Sequence, residues 1–249
     1  MKINPKAITI VIPIFNEEEG IARLLPAFED YISQSKFKVT LLLVNDGSTD
    51  NSLLEIKKLA ELHQHVGYLS FEKNAGLSAA IRAGVEKCTT TWVGYIDADL
   101  QTDPLDFLRL EAMVPSYDLV TGRREGRKDR VKKVSSTFAN WFRDSMLHDG
   151  VHDSGCPLKI MRRSVVMDMP FFQGMHRFFP ALALIQGKKV IEIPVKHFPR
   201  ITGKSKFNVW NRLLSPLQDT FALRWMMKRQ TAYTISENSI KTHKEVVNE

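Results

Sequence analysis

Short apolar, β-branched runs alternate with stretches of helical periodicity through the first half of this chain, and this alternation limits the fold more than any other feature. Apolar runs bounded by polar clusters are typical of buried strands. Strands that alternate with helices pair in parallel through right-handed crossovers. The sequence therefore predicts an α/β fold with a mixed, mostly parallel sheet. The predicted strands are Ile8–Ile14, Val39–Val44, Val66–Phe71 and Trp92–Ile96, and the predicted helices are Glu17–Ser33, with an irregularity at Pro26, the stretch from an Asp50-Asn51-Ser52 cap to Leu62, and Leu77–Lys87.

The second half is less regular. Its predicted elements are a strand at Asp118–Thr121, a basic-rich helix at Val131–Met146, a loop and strand at Asp153–Met161, a helix near Phe178–Ile185 and a strand at Lys188–Val195. We expect residues 1–206 to form one domain and residues 207–229 a helical extension. The polar, aperiodic residues 230–249 are expected to be disordered.

Bulk properties narrow the class of protein. Two cysteines, Cys88 and Cys156, show no metal-ligand pairing, which argues for a reducing compartment and against a disulfide framework or structural zinc. No run approaches the roughly 18 apolar residues of a membrane span, and no signal peptide is recognisable. We expect a cytoplasmic protein, peripheral at the inner face of the membrane. A net charge of +7 favours anionic partners such as phosphates, acidic lipids or nucleic acid.

The segment Tyr95-Ile96-Asp97-Ala98-Asp99-Leu100-Gln101 places oxygen-bearing side chains where an apolar run ends. In extended backbone, Asp97, Asp99 and Gln101 would share one face. Mg²⁺ or Mn²⁺ prefers such ligands and takes substrate phosphates as the remainder. Ligands also bind at the carboxyl ends of strands in open α/β sheets. The alternative is a polar turn that leads into a helix beginning at Asp103-Pro104.

Polar loops follow the other predicted strands and would reach the same rim. Asp46 and Glu17 could accept hydrogen bonds from a ribose or a base, and Gly47 would allow the backbone to approach closely. Asn74 and Gly76 precede a helix whose N-terminus would favour anions. Each loop alone is equally typical of a turn or a helix cap. Four of them on one edge favour a binding site.

The chain resembles family 2 glycosyltransferases, and within them the dolichol-phosphate mannose synthase-like branch that acts on polyprenyl phosphates. The resemblance extends from about Ile8 to Arg229 in the order of the family. The segments that carry it are VIPIFNEEEGI, LLVNDGSTDNS, NAGLSAAIRAG, YIDADLQTDP, GRREGR, DSGCPLKIMRR, GMHRFFPAL and PRITGKSKF. It implies a GT-A (Rossmann-like) fold, a GDP- or UDP-sugar donor, a Mg²⁺ or Mn²⁺ ion and a lipid-phosphate acceptor.

The resemblance also assigns roles to matching positions. It implies that Pro13, Asn16, Glu17 and Asp46 line the nucleoside pocket, and that Asp97, Asp99 and Gln101 bind the metal and the donor diphosphate. Together with Asn74 and Gly76 at the helix N-terminus, the nucleoside residues and Asp97 make up the predicted nucleotide-binding set. Two features depart from the family. Asn45 occupies a position where relatives often have aspartate, and the C-terminal transmembrane helices of most bacterial relatives have no counterpart in this sequence.

A cationic block at residues 122–133 is a candidate phosphate site, because guanidinium groups match phosphate geometry, and the family resemblance implies that the phosphate is that of the acceptor. A solvated loop is the ordinary alternative, and the lack of interleaved aromatics before Phe138 speaks against nucleic acid. The predicted acceptor-phosphate residues are Arg123, Arg130, Lys132, Ser136, Arg177, Arg200 and Lys206.

The predicted catalytic residues are Asp99, Asp153, Arg200 and Lys206. A phosphomonoester is already largely a dianion at neutral pH, so transfer to it needs no general base. We therefore expect single displacement with inversion, in which Asp153 orients sugar hydroxyls. One alternative is transfer to a saccharide or lipid hydroxyl with Asp153 as the base. Another is a non-catalytic nucleotide-sugar binder.

Large apolar residues recur at helical spacing in residues 207–229, with cations around them. They are Trp210, Leu213, Leu214, Leu217, Phe221 and Trp225. An amphipathic helix lying in a membrane interface would explain the pattern. A helix packed on the catalytic domain, or on a second subunit of a homo-oligomer, would explain it equally well.

Overall fold

A computed structural model describes residues 4–125, 140–199, 209–229 and 236–237. Within these residues, seven strands form one sheet in the order β3-β2-β1-β4-β6-β5-β7. The strands are β1 (Asn4–Ile14), β2 (Lys38–Asn45), β3 (Val66–Ser70), β4 (Thr90–Tyr95), β5 (Leu119–Arg124), β6 (Lys159–Arg162) and β7 (Val190–Val195). The mixed, mostly parallel sheet predicted from the sequence is confirmed.

The sheet consists of two groups of strands that are each contiguous along the chain. Strands β1 to β4 pair in parallel and come from the first 95 residues. Strands β5 to β7 come from the later part, and β6 pairs antiparallel with both β4 and β5. The two groups meet in a single ladder of four residue pairs, which runs from Trp92 opposite Arg162 to Tyr95 opposite Lys159.

Helices cover both faces of the sheet. They are α1 (Glu18–Ile21), α2 (Leu24–Gln34), α3 (Ser52–Leu62), α4 (Leu77–Lys87), α5 (Phe107–Glu111), α6 (helical residues 140–147), α7 (Arg163–Met167), α8 (Phe179–Ile185) and α9 (Val209–Lys228). Two 3-10 turns lie at Pro104–Asp106 and Met175–Arg177.

Alternation along β1 divides the core into two layers. Ile8, Ile10 and Ile12 pack with α2, α3 and α5, whereas Val11 packs with α4, α7 and α8 on the opposite face. Successive side chains of a strand point to opposite faces, so a strand covered on both faces is apolar throughout. Gly84 in α4 allows close contact with the sheet, since a Cβ there would lie 2.5 Å from Val11 Cγ1.

Several predicted boundaries are wrong. Glu17–Ser33 is not one helix but two, α1 and α2, and the break precedes Pro26. Proline is tolerated in the first turn of α2, where its missing N–H would have no partner. The strand predicted at Asp118–Thr121 begins one residue later and continues to Arg124. The predicted helix Val131–Met146 is described only from residue 140, and that part is helical.

Helix α9 packs on the domain rather than standing apart from it. Leu223 is fully buried in the same core layer as Val11, and Arg224 Nη1 donates to the carbonyl of Met146 in α6 at 2.7 Å. The C-terminal helix expected from the sequence is therefore present, and one of its sides faces the protein. No helix within the described ranges combines the length and apolar character needed to cross a bilayer.

Candidate active site

The loops predicted to share one rim do so in the structure. Strands β1, β2, β3 and β4 are parallel, so the segments after Ile14, Asn45, Ser70 and Tyr95 leave at the same edge. Because β6 is antiparallel, its first residue, Lys159, lies opposite Tyr95 at that edge. Strand β5 brings its carboxyl end to the same side, since it is antiparallel to β6.

The Asp97–Gln101 segment forms a turn. The prediction of extended backbone through Gln101 is wrong, because Ala98 and Asp99 lie in a turn and Leu100 has a φ of 51°. A non-glycine residue in this left-handed region is uncommon and is held by its surroundings. The Gln101 N–H donates to Asp99 Oδ1 at 3.1 Å, and the Gln101 carbonyl accepts from the Phe198 N–H at 2.8 Å.

The carboxylates of Asp97 and Asp99 lie close enough to repel one another. Burial and, after it, the negative charge of Asp99 raise the pKa of Asp97 to about 6. Three groups lower the pKa of Asp97. The Tyr95 hydroxyl donates to Asp97 Oδ1 at 2.7 Å, and the positive charges of Arg124 and Lys159 favour the ionised carboxylate. The segment therefore carries paired anionic charge beneath the rim.

This donor set fits a divalent cation that is also held by substrate. A cation between Asp97 and Asp99 would relieve their repulsion, which adds to the effect of burial in raising the pKa of Asp97. Among the described residues, no three His, Cys, Asp or Glu side chains converge to hold an ion by themselves. Mg²⁺ typically takes one or two carboxylates and completes its shell with phosphate and water. The side chain of Gln101 stays a predicted third ligand.

Hydrogen bonds join the loops after β1 and β2 on the predicted nucleoside side. Asn16, with a φ of 51°, donates its N–H to Ser48 Oγ at 3.0 Å, and its side-chain oxygen accepts from the Thr49 N–H at 2.8 Å. The Glu17 N–H donates to Ser52 Oγ at 2.9 Å. These contacts fix the positions of Asn16 and Glu17, whose binding of nucleotide stays a prediction.

Asp46 joins the loop after β2 to the loop before α4. Its carboxylate accepts from the Asn74 side chain at 2.9 Å and from the N–H groups of Ala75 and Gly76 at 2.8 and 3.0 Å. Gly47 lies against the same loop, since a Cβ there would fall 2.4 Å from the backbone nitrogen of Asn74. The N–H groups just before α4, where the sequence predicts that an anion would bind, therefore donate to the carboxylate of Asp46.

Arg124 and Asp153 form a buried, bidentate ion pair at the rim. Arg124 Nε and Nη2 donate to the two carboxylate oxygens of Asp153, each at 2.7 Å, and the Arg124 N–H adds a third bond at 3.1 Å. The Asp153 N–H donates to Glu192 in β7 at 2.7 Å. Both oxygens of the residue considered as a base are therefore held by a guanidinium group.

Two further buried cations support the loop that carries Asp153. Lys159 Nζ donates to the carbonyls of Ser154 and Cys156, and burial lowers its pKa to about 8. Arg143 in α6 pairs with Asp149, with Nε 2.8 Å from Oδ2, and also donates to the Ser154 hydroxyl. The start of this loop is thus held by charged groups from α6 and β6.

The 3-10 turn at Met175–Arg177 lies against the N-terminus of α4. His176 Nδ1 is 2.8 Å from the Ser78 hydroxyl, which accepts from the Gly174 N–H at 3.0 Å. Burial lowers the pKa of His176 to about 3, so the ring is neutral at physiological pH. Asp219 of α9 and Arg177 of the turn both lie close to Gly174. A Cβ on Gly174 would be 3.0 Å from Asp219 Oδ2 and 3.6 Å from Arg177 Nη1.

The structure brings only part of the predicted set together. Asp97, Asp99 and Asp153 lie at one rim, while Arg123, 41% exposed, pairs with Glu125 at the surface. The predicted residues that lie outside the described part of the chain are Arg130, Lys132, Ser136, Arg200 and Lys206. The sequence placed Arg124 in the cationic block but did not single it out, and it did not point to Lys159 or Arg143. Of these last two, only Lys159 gave a signal, as a lysine within an apolar strand.

Comparison with known proteins finds a matching family and a similar relative. The family model described as glycosyl transferase family 2 matches residues 9–169. Dodecaprenyl-phosphate galacturonate synthase of Rhizobium johnstonii is 29% identical over 228 residues, which are 89% of this chain and 67% of the relative.

Solved structures share the fold. Glucosyl-3-phosphoglycerate synthase from Mycobacterium tuberculosis, in complex with Mn²⁺, UDP-glucose and phosphoglyceric acid, superposes with a TM-score of 0.65 at 16% identity, over 91% of this chain and 81% of that one. Mannosyl-3-phosphoglycerate synthase from Rubrobacter xylanophilus gives a TM-score of 0.66 at 14% identity, over 94% and 78% of the two chains. The fold is therefore the GT-A fold that the sequence predicts.

Proposed function

The chain belongs to glycosyltransferase family 2, and from this premise we propose that it transfers a sugar from a nucleotide-diphosphate sugar to polyprenyl phosphate at a membrane surface, with inversion at the anomeric carbon. Its similarity to a dodecaprenyl-phosphate galacturonate synthase supports the acceptor class. Mn²⁺ and UDP-glucose in a structure of the same fold support the donor class and the divalent cation.

The observation that carries the acceptor assignment is the Arg124–Asp153 pair. A carboxylate that serves as a general base must have a lone pair directed at the acceptor hydroxyl. Both oxygens of Asp153 instead accept bonds of 2.7 Å from one buried guanidinium group. Such charge-assisted pairs favour the ionised carboxylate and oppose its protonation. An acceptor that arrives already deprotonated suits this site better than a hydroxyl does.

In the proposed reaction, one oxygen of the acceptor phosphate forms a bond to the anomeric carbon as the bond to the leaving diphosphate breaks. No proton has to move, because the phosphate dianion is the nucleophile. A divalent cation at Asp97 and Asp99 would supply positive charge to the departing diphosphate. The chain itself holds the two anions side by side and in line, so positioning and electrostatics account for the acceleration.

Transfer to a saccharide or lipid hydroxyl, with Asp153 as the base, is the second candidate, and it would require Asp153 to take up a proton against its pairing with Arg124. A non-catalytic nucleotide-sugar binder is disfavoured by membership of a transferase family and by the retention of both Asp97 and Asp99.

The test is a transfer assay with radiolabelled UDP- and GDP-sugars, Mn²⁺, and polyprenyl phosphate in detergent. We expect a labelled lipid whose sugar has the anomeric configuration opposite to that of the donor. A parallel reaction with free polyprenol provides the control for a hydroxyl acceptor. Transfer to polyprenol in preference to its phosphate, or retained configuration in the product, would overturn the proposal.

A further inference from the structure

Helices α6 and α9 together present large apolar side chains to solvent. The exposed fractions are 62% for Trp141, 56% for Phe221, 60% for Trp225 and 36% for Met226. Phe221 and Trp225 lie four residues apart on α9 and therefore share a side of the helix. The two helices are joined beneath this surface, because the Phe142 and Phe221 rings pack edge to face with centroids 5.7 Å apart. We call these four residues the aromatic face.

The charges beside the α9 part of the aromatic face are positive, whereas on α6 Asp144 lies one turn from Trp141 and accepts from the Gly150 N–H at 2.9 Å. Lys228 and Arg229 are exposed at the end of α9, and the Arg229 guanidinium lies 5.3 Å from the centre of the Trp225 ring. From residue 216 to residue 229, where the side chains of α9 are described, the single acidic residue, Asp219, lies on the side turned toward Gly174. Exposed aromatics bordered by lysine and arginine are the composition of a helix that lies in an anionic lipid interface.

We propose that the aromatic face docks on an anionic phospholipid bilayer. Trp and Phe would enter the headgroup region, where aromatic residues are enriched, and Lys228 and Arg229 would contact lipid phosphates. The charge complementarity favours a bilayer over a second copy of this chain, whose net charge of +7 would oppose self-association through a cationic surface.

The position of α9 relates this surface to the proposed reaction, on which the inference rests. The opposite side of α9 buries Leu223 and places Asp219 beside Gly174 and Arg177, a predicted contact of the acceptor phosphate. One helix would thus contact the bilayer on one side and the acceptor segment on the other. A lipid phosphate, which lies at headgroup depth, would meet the site without leaving the membrane.

The test is co-sedimentation of the full chain with vesicles of equal parts phosphatidylethanolamine and phosphatidylglycerol. We expect the wild type to bind, and Trp141→Ala/Trp225→Ala to bind at least about tenfold more weakly, since two interfacial anchors are lost. Tyr68→Ala is the matched control. Tyr68 is 41% exposed on the edge strand β3, outside the aromatic face, so this variant should bind like the wild type. Far-UV circular dichroism would verify that each variant is folded.

Failure of the wild type to bind, or equal binding by the double variant, would overturn the proposal. A dimer that the double substitution dissociates, seen by light scattering, would also overturn it by assigning the aromatic face to a subunit contact. Transfer to a short, water-soluble polyprenyl phosphate without vesicles tests the reaction separately, and there the double variant should match the wild type. If the protein binds vesicles but transfers sugar neither to the short polyprenyl phosphate nor to polyprenyl phosphate in detergent, the proposed function is refuted while the docking surface stands.

Discussion

The Arg124–Asp153 pair distinguishes the two chemistries open to this site. Asp153→Asn leaves a buried guanidinium group without its charge partner, and breaking such a pair costs about 3–5 kcal/mol of unfolding free energy. We expect the loop to shift and kcat to fall by roughly a hundredfold, since small displacements of positioning groups have effects of that size. The residual activity should keep the pH dependence of the wild type.

Arg124→Lys is the control for that experiment, because it removes the guanidinium fork while leaving the carboxylate of Asp153 in place. We expect it to reduce kcat in the same way. If instead Arg124→Lys retains full activity while Asp153→Asn loses the acidic limb of the pH–rate profile, Asp153 is the base and the acceptor is a hydroxyl.

Lys159 gives the protein a pH-dependent stability. Burial lowers its pKa from 10.5 to about 8, so the folded state releases this proton at a lower pH than the unfolded state does. The resulting stability is fully present above pH 10.5 and is lost as the pH falls through 8. Relative to Lys159→Met, the wild type should therefore gain ~3 kcal/mol of unfolding free energy between pH 7 and pH 11.

Urea unfolding at a series of pH values measures this difference, and Lys189→Met, at an exposed lysine, is the matched control. A difference curve without a slope above pH 8 would show that Lys159 is not buried in the way described.

Among the secondary-structure elements, α9 offers a direct test of its attachment to the domain. Leu223 is 1% exposed, so Leu223→Ala should lower the unfolding free energy by about 2–5 kcal/mol through lost burial and the cavity left behind. Met226→Ala, on the exposed side of the same helix, should cost less than about 1 kcal/mol. Equal, small effects from both substitutions would show α9 to be detached from the core.

For the molecule as a whole, the donor and the cation should stabilise the folded state together. Ligand at a hundredfold excess over its Kd adds about 2.7 kcal/mol, which for a chain of this size corresponds to a rise in Tm of roughly 5–10 °C. We expect this rise with UDP or GDP only when Mn²⁺ or Mg²⁺ is present, and chelation by EDTA should abolish it. Differential scanning fluorimetry measures the effect and identifies the base.

Asp99→Asn is the matched variant, since it removes one carboxylate and keeps the shape of the side chain. It should lose the cation-dependent shift and all transfer activity while its Tm without ligand stays near that of the wild type. A shift that persists in Asp99→Asn would place the cation elsewhere.

The sequence predicted the rim of polar loops because that pattern is local: each strand is an apolar run, and each loop follows it directly. It did not indicate which of two adjacent arginines faces the site. Arg123 and Arg124 are neighbours on β5 and point to opposite faces, and the sequence does not show which face is turned to the site. The roles of Arg143 and Lys159 depend on contacts between segments distant in sequence and on the reversed direction of β6. The left-handed conformation of Leu100 was equally hidden, because no glycine marks it.

The reversed strand β6 also joins two halves of the sheet that are each contiguous along the chain. Everything before Tyr95 builds the half of the sheet next to the predicted nucleotide contacts, and everything from Leu119 to Val195 builds the half that holds Arg124 and Asp153. Within the sheet a four-pair ladder joins them, and α7 and α8 also pack across the junction in one core layer with α4. A relative that differs in one half must therefore keep this shared core, so that changes of donor or acceptor preference fall on the loops at the rim rather than on the scaffold.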